Sequence, residues 1–348
     1  MDPYHYCNTN CVHCWIHSPY CDKDPDFLKQ KMDLSLYKKL IDDAEKLLCD
    51  DIIFQGNGEP FLDDRLFEMA GYARDKGLKV IIFTNGILLD QANIKRLHEL
   101  EVSEIFCSLP AGMARTYSLI NPGHPGDTFD KVVSNLKELI SQRRRLKKPS
   151  LKLQMTHVIH NMNYQELEAM AKMDADIGAD RVRFYLVRLD RNISSLKLAC
   201  SQIDEIRKAL DRIGPYLKSR NIELQDNIDF QLKNYNSQTG DWSQDIISRL
   251  GCPVGWFFCM VLAKGEVSMC CHMRIVDYLN NGAFLKIWNS ENYNNLRISA
   301  KHITRNKEAV FLNGVRLYDD FCKHCDTHQV ILRVNELMEK YNLNKFLS

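Results

Sequence analysis

The stretch DIIFQGNGEPFLDDRLFEMAGYARDKGLKVIIFTNG, residues 51–86, holds two short apolar runs separated by an amphipathic segment. Ile52-Ile53-Phe54 and Lys79-Val80-Ile81-Ile82-Phe83 each predict a buried strand, and we expect a helix from about Asp64 to Lys76 between them. Parallel strands need a crossover of this kind, whereas antiparallel strands can be joined by a tight turn. The stretch therefore predicts a parallel strand–helix–strand unit.

The same alternation extends on both sides of this unit. A helix is predicted from Asp33 to about Leu48, and later strands are predicted at Glu104–Ser108, Leu151–Ile159 and Val182–Val187. Further helices are expected near residues 127–143, 163–176 and 201–218. Nearly continuous apolar strands that alternate with helices are typical of a parallel sheet covered by helices. About five or six such units predict an α/β fold, a partial (β/α)6 barrel of the TIM type, whose ligands gather at the carboxyl ends of the strands.

The periodic pattern weakens in the last third of the chain. Residues 1–220 are expected to form the barrel, and the polar residues 221–250 are expected to form a linker. Gly265-Glu266-Val267 is a candidate hairpin turn within a second domain at 251–330. A C-terminal helical segment is expected at 331–348.

Composition and charge exclude several classes of protein. The chain has 348 residues, 45% hydrophobic and 26% charged, with a formal net charge of +1, so no nucleic-acid partner is expected. No apolar run approaches the ~20 residues that span a bilayer, and no signal peptide opens the sequence, so no membrane partner and a cytoplasmic location are expected. In a reducing compartment the 13 cysteines are expected to be thiols or metal ligands.

Three cysteines are closely spaced near the N-terminus, in Cys7-Asn8-Thr9-Asn10-Cys11-Val12-His13-Cys14. Structural zinc usually takes four ligands, so a zinc site here would need completion by His13 or His17. Three thiolates on a [4Fe–4S] cube would instead leave one iron open, and the methionine end of S-adenosylmethionine can chelate such an iron. Unligated thiols are the third alternative.

The order of further motifs resembles the radical S-adenosylmethionine (SAM) superfamily. Gly56-Asn57-Gly58-Glu59-Pro60 is similar to the family's Gly-Gly-Glu-Pro element, and Thr84-Asn85-Gly86 ends the next strand as it commonly does in this family. The resemblance implies that Gly56, Gly58 and Glu59 hold the SAM amino group and that Ser108 contacts its ribose or carboxylate. It also implies a cluster on Cys7, Cys11 and Cys14. His13, Asn163 and Leu186 complete the candidate cofactor contacts, the last two as positions that border the adenine.

The second half of the chain resembles the SPASM or Twitch domains of the same superfamily. Cys252 is followed by twelve residues, Gly265, four residues and Cys270, and later come Ile287-Trp288-Asn289-Ser290, Leu296-Arg297 and Cys322-Lys323-His324-Cys325. The resemblance implies a β-hairpin-plus-helix domain with a second [4Fe–4S] cluster, its ligands being Cys252, Cys270, Cys322 and Cys325. The same four cysteines also suit a zinc ribbon.

The resemblance implies reductive cleavage of SAM to a 5′-deoxyadenosyl radical that abstracts hydrogen from a small polar substrate. Oxidation or epimerisation of a sugar or aminocyclitol is expected, as in an aminocyclitol dehydrogenase and a carbohydrate epimerase of this architecture. Cys259 and Cys271 are the candidate hydrogen donors, with simple packing as the alternative. An external one-electron donor such as flavodoxin or ferredoxin is implied.

Two other functions stay open from the sequence. A peptide-modifying enzyme of the same superfamily, acting in peptide natural-product maturation, is one of them. A non-catalytic protein with structural zinc or iron–sulfur sites belongs to a different class.

Overall fold

The chain folds into two compact units. The computed structural model describes residues 1–147, 150–225, 228–305, 307–308, 310, 316–325 and 327–342. The first unit comprises Met1–Lys31 and Leu48–Gly240, and the second comprises Met32–Leu47 and Asp241–Ser348. Within the described ranges, no helix combines the length and the apolar character needed to cross a membrane.

The first unit is built on a six-stranded sheet in which every neighbouring pair is parallel. Its strands, which are adjacent in chain order, are β1 Asp51–Phe54, β2 Lys79–Thr84, β3 Glu104–Ser108, β4 Lys152–Ile159, β5 Arg181–Leu186 and β6 Glu223–Gln225. Sequential parallel strands with helical crossovers confirm the predicted partial barrel. The first five strands lie within one residue of their predicted positions at both ends.

The helices alternate with these strands and continue into the second unit. In chain order they are α1 Pro25–Leu28, α2 Leu34–Lys46, α3 Leu66–Asp75, α4 Gln91–Glu99, α5 Ala114–Ile120, α6 Gly126–Arg145, α7 Leu167–Ile177, α8 Cys200–Ser219, α9 Ile228–Asn234, α10 Ile246–Leu250, α11 Phe284–Trp288, α12 Glu291–Lys301, α13 Asp320–Lys323 and α14 His328–Lys340. Helix α2 begins where the sequence predicts, because the Asp33 carboxylate accepts a hydrogen bond from the Leu36 N–H and caps the helix.

The core of the first unit lies around the central strands. Every residue of β4 after its first is buried, as expected for a parallel strand covered on both faces. At the β1 edge, the Met1 ammonium donates to the Ile53 carbonyl (2.8 Å) and the Gln55 N–H donates to the Met1 carbonyl (3.0 Å). This pair of bonds has the pattern of a parallel ladder and fixes the N-terminus beside β1.

The second unit contains a small antiparallel sheet and a helical part. Its strands are β7 Met260–Val261, β8 Glu266–Ser268 and β9 Ile275–Tyr278, in that spatial order. Gly265 turns the chain between β7 and β8 with φ +84°, a left-handed conformation that glycine adopts without strain, so the predicted hairpin turn is confirmed. The Arg297 guanidinium of α12 lies 4.2 Å from the Trp288 ring centre and 4.0 Å from that of Tyr293.

The segment predicted as a linker has more structure than the sequence indicated. Residues 221–250 contain β6, α9 and α10, and the two units divide after Gly240. These elements are short, with 3, 7 and 5 residues, so they carry too few repeats to show a period. The last helix runs from His328 to Lys340, and residues 343–348 of the predicted segment 331–348 lie outside the described residues.

Candidate functional site

The loop that carries the N-terminal cysteines is anchored near the carboxyl ends of the central strands. Val12, between Cys11 and Cys14, packs in a buried cluster with Val158 near the end of β4 and Val187 just after β5. Its N–H donates to the carbonyl of Ile120 (2.8 Å) at the end of α5. The loop is therefore placed where ligands of a (β/α) barrel bind.

The three thiols of this loop lie close together. The side chain of Thr9 contacts two of them, with its Oγ1 3.2 Å from Cys7 Sγ and 3.6 Å from Cys11 Sγ. The Cys11 thiol also donates to Asn121 Oδ1 (2.8 Å), and Cys14 Sγ accepts the N–H of His17 (3.2 Å). Burial, followed by the negative charge of a neighbouring Cys14 thiolate, raises the pKa of Cys11 to about 12.

This donor set fits a cationic group that takes thiolates. Burial raises the pKa of Cys7 as well, so without a bound cation the thiolate forms are disfavoured. A bound metal centre inverts this preference because its charge stabilises the thiolates. Within the part of the chain that the structure describes, no three His, Cys, Asp or Glu side chains are arranged to hold a single metal ion. His17, one of the two histidines that could complete a zinc site, has its Nε2 2.5 Å from the Asn57 carbonyl oxygen.

The Gly56–Pro60 turn after β1 is held by buried polar contacts. The Glu59 carboxyl accepts hydrogen bonds from the Thr84 hydroxyl (2.8 Å) and the Asn85 N–H (2.8 Å) at the end of β2. Burial raises the pKa of Glu59 to about 7. The carboxyl group thus joins the ends of β1 and β2, a role that the sequence did not reveal.

Glycines allow this turn to approach the N-terminal segment. A Cβ at Gly58 would lie 2.3 Å from the Tyr4 carbonyl oxygen and 2.6 Å from that of Tyr6, just before Cys7. Gly56 has φ +134°, and a Cβ there would meet the buried Asp2 side chain, which accepts the Asn57 N–H at 3.0 Å. Side chains at both positions would push the turn away from the cysteine loop.

Asn85 links the end of β2 to the same loop. Its amide donates to Asn8 Oδ1 (2.7 Å) and lies 4.0 Å from Cys7 Sγ. The carbonyl of Asn8 in turn accepts a hydrogen bond from His124 Nε2 (2.7 Å). The end of β2 and the loop that carries His124 therefore both contact Asn8, between Cys7 and Cys11.

The remaining candidate cofactor contacts occupy different surroundings. Ser108 is the last residue of β3 and is half-buried. Leu186 is fully buried in the core, and its N–H donates to Gln231 Oε1 at 2.6 Å. The buried Asn163 amide donates to the carbonyls of Pro110 and Val158, both at 2.8 Å, and its oxygen accepts the His160 N–H. Asn163 therefore holds the backbone where β4 ends.

His13 lies against a second histidine that the sequence analysis missed. The rings of His13 and His160 are 5.5 Å apart, and burial lowers the pKa of His13 to about 4 and that of His160 to about 2. Among the described residues, neither His13 Nδ1 nor His160 Nε2 has a hydrogen-bond partner. His160 directly follows the predicted strand 151–159, so its position at a strand end was the available signal.

The four C-terminal candidate ligands meet in the second unit. Cys252, Cys270, Cys322 and Cys325 all line one cavity with largely apolar walls, which include Val254 and Ile331. Burial raises the pKa of both Cys252 and Cys270 to about 12. Four converging thiols in an apolar cavity fit a cysteine-coordinated metal centre, as in iron–sulfur sites.

The two candidate hydrogen donors do not line this cavity. Cys271 Sγ lies 3.9 Å from the Thr327 hydroxyl. Cys259 lies near the buried Tyr293, whose pKa is raised first by burial and then by the negative charge of a Cys259 thiolate. Cys270 rather than Cys271 is thus the member of the adjacent pair that faces the cavity.

Comparison with protein families gives two matches. Residues 1–173 match the radical SAM superfamily. Residues 252–326 match the SPASM family, described as an iron–sulfur cluster-binding domain. The first match covers the cysteine loop and the strands β1–β4, and the second covers the four cysteines that line the cavity.

Curated relatives carry several different activities in their names. The chain is 30% identical over 208 residues to an Fe-coproporphyrin III synthase of Methanosarcina barkeri. The aligned segment covers 60% of this chain and 48% of the relative. The chain is 24% identical to an AdoMet-dependent heme synthase of the same organism (84% and 82% covered) and 26% identical to a PqqA peptide cyclase of Granulibacter bethesdensis (57% and 54%). The chain thus matches about half the length of the first and third relatives.

A similar fold is known from solved structures. The structure of native anSMEcpe with bound AdoMet superposes with a TM-score of 0.65 at 14% identity, covering 99% of this chain and 97% of that one. At this level of identity the likeness concerns the fold, which extends over both units.

Proposed function

Because the chain belongs to the radical SAM superfamily and carries a C-terminal SPASM domain, we propose that it is an oxidising enzyme with two iron–sulfur sites. Its cofactors are [4Fe–4S] clusters and SAM. When bound, they supply a 5′-deoxyadenosyl radical by one-electron reductive cleavage of SAM. The observation that carries the proposal is the convergence of Cys252, Cys270, Cys322 and Cys325 on one cavity, in addition to the N-terminal cysteine loop.

We assign the first cluster to Cys7, Cys11 and Cys14. Thr9 and Asn121 orient two of these sulfurs, and Val12 fixes the loop on the core. Three protein ligands leave one iron of the cluster open for SAM. An external one-electron donor such as flavodoxin or ferredoxin, in the cytoplasm, completes this part of the proposal, which agrees with the absence of disulfides among the 13 cysteines.

We assign SAM binding to the strand ends beside this loop. Glu59 keeps the Gly56–Pro60 turn in place through Thr84 and Asn85, and we propose that Gly56, Gly58 and Glu59 of this turn hold the methionine amino group. Ser108 and His13 are proposed to contact the remaining part of the cofactor. Asn163 and Leu186 contribute by holding the backbone at the ends of β4 and β5.

The second cysteine set is proposed to hold a cluster that accepts an electron. Four cysteine ligands leave no open iron for substrate, and such clusters serve electron transfer with a potential tuned by their surroundings. Removal of a hydrogen atom followed by one electron is a two-electron oxidation. The substrate proposed from the family resemblance is a small polar molecule, a sugar or an aminocyclitol.

A peptide substrate is the second candidate. The match to a PqqA peptide cyclase favours it, and none of the three relatives named above carries a sugar-modifying activity in its name. A substrate panel should therefore contain sugars, aminocyclitols and peptides, together with the tetrapyrroles that the synthase names indicate. Anaerobic incubation with SAM and a strong reductant would report turnover as 5′-deoxyadenosine.

The test of oxidation separates hydrogen abstraction from electron removal. The Cys322→Ser/Cys325→Ser double variant should still form 5′-deoxyadenosine with substrate but should lose the oxidised product. Cys259→Ala and Cys271→Ala are matched controls. Each should still form 5′-deoxyadenosine and the oxidised product, because neither side chain lines the cavity. If a control variant loses product while keeping its iron, and the wild-type product gains one solvent deuterium, the reaction is an epimerisation instead.

A further inference from the structure

A buried arginine lies beside the C-terminal cysteine set. Arg274, in the turn between β8 and β9, is 6% exposed and lines the same cavity as the four cysteines. Its Nη2 lies 3.8 Å from Cys322 Sγ and donates a hydrogen bond to it. Among the described residues that line the cavity, Arg274 is the one with a permanent charge.

The same guanidinium forms an ion pair that fixes its position. Its Nη2 contacts Asp319 Oδ1, and this oxygen also accepts the N–H groups of Phe321 (2.9 Å) and Cys322 (3.3 Å). Asp319 thereby caps α13, which carries Cys322. The N–H of Met269 donates to the Arg274 carbonyl (2.9 Å) and closes the turn that contains Cys270. Arg274 is thus held by the two segments that supply those cysteines.

The two charged side chains of this ion pair are buried to different degrees. The side chain of Arg274 is 7% exposed, whereas that of its counter-ion Asp319 is 31% exposed. Solvent screens an exposed charge more than a buried one. The electrostatic effect of Arg274 on the cavity is therefore screened less than that of Asp319. A guanidinium cannot lose its proton in a protein, so this positive charge is constant.

We propose that Arg274 is a positioning residue that raises the reduction potential of the second iron–sulfur site through its charge and its hydrogen bond to Cys322. The inference rests on the proposed function, since it requires a cluster on the C-terminal cysteines. A donor and a positive charge beside a ligating sulfur stabilise the reduced state, which carries one more negative charge. The arginine would therefore favour electron transfer from the substrate to this site.

The experiment is a potentiometric titration followed by electron paramagnetic resonance. It is carried out in a background of Cys7→Ala, Cys11→Ala and Cys14→Ala, so that the second site gives the signal. Arg274→Met should shift the midpoint potential to more negative values, and Arg274→Lys should shift it less. Asp319→Asn should shift it to more positive values, because asparagine still caps a helix but no longer compensates the cation.

The control for a general charge effect is Arg333→Met. Arg333 has a side chain 70% exposed in α14, and its removal takes away the same charge at the surface. The midpoint potential of the Arg333→Met variant should equal that of the parent protein. Should Arg274→Met lose the cluster, the Arg274→Lys and Asp319→Asn variants decide the question by the direction of their shifts.

The outcomes separate this inference from the function on which it rests. If the parent has no iron at the C-terminal cysteines, the proposed function itself fails. If the parent has the cluster and neither Arg274→Lys nor Asp319→Asn moves its potential, the inference is overturned while the function stands. Opposite shifts in Arg274→Met and Asp319→Asn, with an unchanged Arg333→Met, support it.

Discussion

Glu59 shows, at the scale of a residue, what a motif can and cannot predict. The Gly-x-Gly-Glu-Pro pattern placed Glu59 correctly after β1, at a strand end. Its partner Thr84 is 25 residues away in sequence and comes close only because β1 and β2 pair in parallel. Contacts that depend on sheet register are not visible in a local sequence pattern. The contact of Asn121 with Cys11 and that of His160 with His13 were not visible for the same reason: the partners are distant in sequence.

The free energy of unfolding should depend on pH because Glu59 is buried. Burial raises its pKa from 4.5 to about 7, so the folded state holds the proton more tightly than the unfolded state. The stabilising effect is complete below pH 4.5 and is lost as the pH rises to about 7, by up to about 3 kcal/mol. Urea unfolding of the cluster-free protein measures this loss.

The Glu59→Gln variant supplies the comparison because glutamine does not titrate. Between pH 5 and 7.5 the wild type should lose stability relative to Glu59→Gln, by an amount on the order of 3 kcal/mol. At the lower pH the variant should itself be less stable, since its amide nitrogen cannot accept the N–H that Glu59 accepts. Parallel pH profiles for the two proteins would show that the carboxyl group is ionised in the fold across this range.

At the scale of an element, strands were more predictable than short helices. The runs at β1 and β2 are nearly continuous in apolar residues, and at β5 the buried Val182, Phe184 and Leu186 alternate with other residues, so each run has a pattern typical of a strand. The helix α5, with 7 residues, and α9, also with 7, span too few turns to show a helical period, and neither was predicted. Yet α5 carries Ile120, which binds the cysteine loop.

The Gly56–Pro60 turn provides an element-scale prediction. In Gly58→Ala the new methyl group would overlap the backbone oxygens of Tyr4 and Tyr6, so the turn or the cysteine loop must move. Overpacking of this kind costs about 1–3 kcal/mol, and iron bound at the first site should fall. Iron analysis and urea unfolding of the purified protein measure the two effects.

Gly71 is a matched control for this substitution. It lies inside α3, and a Cβ there would meet Leu100 Cδ2 at 3.5 Å, an ordinary van der Waals contact. Gly71→Ala should keep its iron and gain about 0.5–1 kcal/mol, because alanine is the better helix former. Equal iron content in the Gly58 and Gly71 variants would mean that the close approach of the turn does not support the cysteine loop.

At the scale of the whole molecule, the sequence predicted the order of elements better than their grouping. The helix α2 was expected to belong to the barrel region 1–220, but the structure groups Met32–Leu47 with the C-terminal unit. Within that unit the Asp43 carboxylate accepts the N–H of Leu285 (3.1 Å) in the first turn of α11. Contacts over 242 residues of sequence are set by tertiary packing, and no pattern within α2 indicates them.

The central claim is that Cys7, Cys11 and Cys14 hold the cluster that cleaves SAM. Its most direct test is to quantify 5′-deoxyadenosine after anaerobic incubation with SAM and a strong one-electron reductant, in the wild type and in the variant with all three cysteines replaced by alanine. The wild type, with about eight irons per chain, should form 5′-deoxyadenosine and methionine, while the variant should keep about four irons and form none. A variant that retains its full iron content and still cleaves SAM would contradict the account.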